Sequence, residues 1–60
     1  MKILICITDG GQSVSINCDM ITYVADRGHG NGCTVFMLEK PNGLTIREGY
    51  LETIGFMKSE

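Results

Sequence analysis

The sequence predicts a β-rich α+β fold, a small antiparallel sheet of about five strands, made of two hairpins and a middle strand, with a short C-terminal helix. Three observations predict it. Short segments rich in isoleucine, valine and threonine alternate with clusters of Gly, Asn and Asp, the pattern of strands between tight turns. Asp9-Gly10-Gly11 and Pro41-Asn42-Gly43 are hairpin signals, because glycine supplies the positive φ these turns require and proline presets the first turn position. Helical spacing occurs in the last stretch, where Tyr50, Leu51, Ile54 and Met57 fall along one face.

Taken in order, Lys2 to Thr8 is the first strand and Gln12 to Asn17 the second, with Val14 and Ile16 on one side and Ser13, Ser15 and Asn17 on the other. Asn17-Cys18-Asp19 is a turn signal, since Asn and Asp bond to their own local backbone. Met20 to Asp26 favours a strand with room for a helical turn at its start, and Arg27-Gly28-His29-Gly30-Asn31-Gly32 is a glycine-rich loop. Cys33 to Lys40 returns to strand, and Leu44 to Glu48 pairs back with Leu44 and Ile46 inward. The tail from Gly49 to Lys58 forms the helix, although Gly49 and Gly55 each weaken it by up to about 1 kcal/mol relative to alanine.

Sixty residues make a single domain, 1–60. A chain of that size buries only about 60% of the surface its unfolded form exposes, so its core is marginal. With 43% hydrophobic residues and a net charge of −2 the chain folds, yet it has little to attract a polyanion. Lys2, Arg27, Lys40, Arg47 and Lys58 are scattered instead of clustered, which disfavours nucleic-acid binding. The run Ile3-Leu4-Ile5-Cys6-Ile7 is too short for a signal peptide, and no segment approaches a membrane span, so the expected location is the cytoplasm. Cys6, Cys18 and Cys33 are odd in number and irregularly spaced, as free thiols are and a disulfide framework is not.

Two strands are apolar on both sides. The first sets Ile3, Ile5 and Ile7 against Leu4 and Cys6; the fourth sets Val35 and Met37 against Phe36 and Leu38. Each therefore wants cover on two faces, and one helix of about ten residues spans only about 15 Å. A second copy of the chain supplies the remaining cover. The expected state is a homodimer or higher oligomer, with Leu4, Cys6, Val35, Phe36, Met37 and Leu38 at its interface.

The loop of Arg27, Gly28, His29, Gly30, Asn31 and Gly32 is the candidate ligand or partner site, because closely spaced glycines let backbone N–H groups converge on a phosphate. Its spacing matches neither common phosphate-binding pattern, so the competing reading is a plain connection between strands. Cys18, His29 and Cys33 are the nearest approach to a metal set, but only His29-x₃-Cys33 has a suitable spacing and a fourth ligand is lacking. No catalytic constellation, metal or cofactor is called for. The carboxylates Asp9, Asp19, Asp26, Glu39, Glu48 and Glu52 fall mostly at turns and element ends.

Asn17 with Asp19-Met20-Ile21, then Thr34-Val35 and Leu38, Asn42-Gly43, Ile46-Arg47-Glu48 and Leu51…Ile54 form an order of signals that resembles the small FlbD-type flagellar-regulator family. That resemblance covers the layout of the whole chain and implies a β-rich body ending in a short helix. The sequence departs from the family before Thr34, where Gly28-His29-Gly30-Asn31-Gly32 replaces a short Pro-Asp turn. The expected function is a non-enzymatic regulatory or inhibitory protein, of a size that suits a phage-encoded accessory factor, acting by protein–protein contact. The alternative is an oligomer that sequesters a small nucleotide-like ligand in the 27–33 loop.

Overall fold

A computed structural model describes residues 2–59. Five strands precede a single α-helix: β1 (Ile3–Ile7), β2 (Ser13–Asn17), β3 (Ile21–Asp26), β4 (Cys33–Met37), β5 (Leu44–Ile46) and α1 (Tyr50–Lys58), with a 3₁₀ turn at Cys18–Met20 between β2 and β3. The β-rich class and the terminal helix are as the sequence predicts. The single sheet is not: β1 and β2 form one antiparallel pair, while β3, β4 and β5 form a separate antiparallel sheet.

The division has a local cause. The end of β1 meets the end of β5 through one isolated bridge, Thr8 to Ile46. Beside it, Arg47 N–H donates to Ile7 O at 2.8 Å and Asp9 N–H donates to Thr45 O at 3.0 Å. Continuing this ladder along β1 would need an extended chain beyond Arg47. Instead Gly49 starts α1, and the pairing stops after one register position.

In the first hairpin Ile3 faces Asn17 and Ile7 faces Ser13. The turn is held by Thr8 N–H to Gln12 O at 2.8 Å and Gly11 N–H to Thr8 O at 2.9 Å. Asn17 then caps the 3₁₀ turn, its side chain accepting from Asp19 N–H at 3.0 Å. In the second sheet Val35 lies between Val24 on one side and Leu44 on the other. A bulge between Ile21 and Tyr23 shifts the register there, and the Tyr23 ring stacks on Phe36 with centroids 4.3 Å apart. Both strands of the second hairpin end earlier than the sequence indicates, β4 at Met37 and β5 at Ile46.

The two sheets close on a core of Leu4, Cys6, Ile16, Cys33, Val35 and Ile46, with Tyr50 packed against it from the helix. The buried stripe of α1 differs by one residue from expectation. Leu51 is 81% exposed, whereas Thr53 is the helix's buried residue. Its hydroxyl lies 3.6 Å from Cys33 Sγ, so a polar side chain enters the core with a partner. Helix polarity is complemented by Glu52 in the first turn and Lys58 in the last. Lys2 adds to this by donating from Nζ to Phe56 O at 2.8 Å.

Candidate interaction surfaces

The glycine-rich loop is a tightly folded turn. Gly28, His29 and Gly30 all have positive φ (76°, 53° and 71°), as does Gly32 at 82°. Asp26 Oδ1 accepts from Gly28 N–H at 2.9 Å, Asn31 N–H donates to Gly28 O at 3.0 Å and Arg27 N–H to Gly32 O at 3.3 Å. Three of the backbone donors that a phosphate would use are thus bonded within the loop, one of them to a carboxylate. Gly32 is buried, and a Cβ there would sit 2.1 Å from the carbonyl oxygen of Ile46. Arg27, His29, Gly30 and Asn31 are exposed.

His29 and Cys33 are not brought together as ligands. Cys33 is buried with Sγ directed at Glu48 O (3.4 Å), while His29 stands at the loop tip. Among the described residues no group of three or more His, Cys, Asp or Glu side chains could hold a metal ion. Cys6, Cys18 and Cys33 are free thiols. Burial pushes the Cys6 thiol up to about 11, helped by the nearby charge of Glu48 and by Cys33. Burial likewise raises Cys33, opposed by its hydrogen bond with Thr53 and reinforced by Asp26 and Glu48. Both stay protonated and unreactive at neutral pH.

Of the residues expected at an oligomer interface, Leu4, Cys6 and Val35 lie in the core of the chain itself. Phe36 and Met37 are half-buried, and Leu38 alone is well exposed, at 67%. The expectation erred on the first strand because the second sheet supplies cover for Leu4 and Cys6 from within the same chain. The face left outside is the other one: Ile3 is 41%, Ile5 76% and Ile7 38% exposed.

The backbone of β1 is also half open. Thr8 N–H bonds Gln12 O and Cys18 N–H bonds Lys2 O. In an antiparallel ladder such pairs alternate, so the even-numbered residues of β1 bond to β2 and Ile3, Ile5 and Ile7 turn their N–H and C=O groups to the opposite edge. There Ile7 is satisfied, its carbonyl by Arg47 N–H and its N–H by Glu48 Oε1 at 3.1 Å. Ile3 and Ile5 have no partner for these groups among the described residues. Beside them runs a groove of about 370 Å³ between β1 and α1, lined by Ile3, Ile5, Glu48, Glu52, Thr53 and Phe56. A second groove, about 540 Å³, lies between β2 and the second hairpin, bounded by Val14, Asn17, Met20, Met37 and Leu44.

The two apolar sides of the first strand are legible in the sequence. Which side faces outward and where the edge stays open are not, because both depend on the second sheet. No family model, curated protein or solved structure matches this chain. No helix among the described residues is long and apolar enough to cross a membrane.

Proposed function

We propose that this chain is a small non-enzymatic regulatory or inhibitory protein of the cytoplasm that works by protein–protein contact as a homo-oligomer. The observation that carries the reading is the stripe of Ile3, Ile5 and Ile7, exposed on a chain with six buried apolar residues among those described. A sixty-residue domain has few apolar side chains to spare, and three isoleucines on one outer face, with exposed Phe56 and Leu51 on the helix, mark a surface for contact. The resemblance in layout to FlbD-type regulators points to the same class. The glycine-rich loop contributes less than its composition implies, since its backbone donors at Arg27, Gly28 and Asn31 are already used.

Light scattering and native mass spectrometry of the purified protein test the reading together. The expected result is a mass of at least two chains of 6.6 kDa with no retained small molecule. An oligomer that retains a nucleotide or other metabolite, lost on Arg27→Ala, would replace this reading with sequestration of a small ligand.

A further inference from the structure

The open edge of β1 carries the proposal further. An edge strand with unpaired backbone groups is a template for another strand, and proteins that leave one exposed guard it with Lys, Pro, a bulge or short length. The two outer edges of the first hairpin differ in this respect. On β2 the outward backbone groups belong to Ser13, Ser15 and Asn17, whose polar side chains keep that edge in water. On β1 they belong to Ile3 and Ile5, within Ile-Leu-Ile-Cys-Ile, where neither proline nor charge interrupts.

We propose that β1 is the strand through which two copies of this chain dimerise, pairing antiparallel about a twofold axis at Leu4. This inference rests on the homo-oligomer reading above and specifies its surface. With Ile3 facing the partner's Ile5, and Ile5 the partner's Ile3, each of these residues exchanges N–H···O bonds with its counterpart, and the four unpaired groups of each chain are all used. The exposed isoleucine stripes then lie side by side across the axis, with facing Cβ atoms about 5 Å apart. The groove between β1 and α1 borders the edge along which the neighbouring strand runs, about 4.8 Å from β1.

Charge selects the direction. Antiparallel pairing sets the partner's Lys2 opposite Cys6, one residue from the Glu48 carboxylate at Ile7 N–H. A lysine exchanging its own chain's Phe56 O for Glu48 would join the two chains; parallel pairing would set the two Lys2 residues together. A symmetric antiparallel pair also closes on itself, which removes the edge instead of extending it into a fibre.

Sedimentation equilibrium on the full chain and three variants tests the assignment. Ile5→Pro deletes an N–H that has no partner among the described residues, and Ile5→Lys places a charge at a position 76% exposed, so neither removes a bond described in the monomer. Ser15→Pro makes the equivalent deletion on the outer edge of β2. The expected result is a wild-type dimer that Ser15→Pro preserves, and at least a tenfold weaker dimer for Ile5→Lys and Ile5→Pro with unchanged far-UV circular dichroism. Should Ile5→Pro fail to fold, Ile5→Lys decides alone. A wild-type dimer that Ile5→Lys leaves intact overturns the β1 interface while sparing the oligomer reading. A wild-type monomer at 100 μM, taken as about the highest working concentration, overturns both.

Discussion

Replacing Gly32 by alanine perturbs a contact whose cost follows from two distances and an angle. Gly32 sits at φ +82°, where an L side chain adds about 1–2 kcal/mol of backbone strain. The new Cβ would also lie 2.1 Å from Ile46 O and 3.2 Å from Ile46 C. These are backbone atoms of a three-residue strand paired to β4, so they cannot rotate away as a side chain end would. Either β5 moves by about an ångström or the loop abandons its turn, and forced overpacking of this kind costs about 1–3 kcal/mol. The sum is about 2–5 kcal/mol. A domain of sixty residues has only about 3–9 kcal/mol in total. Thermal unfolding should therefore show a fall in Tm of at least about 8 °C, using about 4–8 °C per kcal/mol for a domain of this size. Gly30→Ala is the matched control, since its φ is +71° but nothing lies within 4 Å of its Cβ position; strain alone should lower Tm by about 4–16 °C. If the two variants unfold at the same temperature, the contact with Ile46 contributes nothing and the account of Gly32 as a packing glycine is wrong.

Three other outcomes follow from the core and its rim. Cys6 and Cys33 are 1% and 0% exposed whereas Cys18 is half-buried, so iodoacetamide at pH 8 should add one carbamidomethyl group to the native protein and three in urea, read by intact mass. Because folding raises the Cys6 pKa from 9.0 to about 11, its contribution to stability is complete below pH 9 and is lost as pH rises from 9 toward 11; the urea midpoint should decline over that interval, less steeply for Cys6→Ala, and equal slopes would refute the linkage. Glu48→Ala removes the acceptor for Ile7 N–H and should cost about 1–2 kcal/mol. Glu48→Gln keeps an acceptor, should cost less, and should lower the Cys6 pKa, because the Glu48 charge is one of the causes that raise it.

The strands and most turns were legible in the sequence because they are set locally. Alternation along Ser13–Asn17, the positive φ required at Gly11 and Gly43, and the cap at Asn17 depend on residues within a few positions of one another. Thr53 was within reach of the same reasoning. It completes the spacing of Tyr50, Ile54 and Met57 on one helical face, and only its polarity hid it. Gly32 stands out in the sequence for its neighbouring glycines, yet what makes glycine necessary there is Ile46, fourteen residues away on the adjacent strand.

The sequence by itself determined where β1 would form and that both of its faces would be apolar. Which face turns inward was decided by the second sheet, because Ile46 and Val35 cover Leu4 and Cys6 and leave Ile3, Ile5 and Ile7 outside. The split into two sheets was decided the same way. After Ile46 the chain turns into α1, and the pairing of β5 with β1 ends at one bridge. A local pattern specifies an element and its two faces; what lies against each face, and where an edge is left open, depends on contacts between residues far apart in the chain.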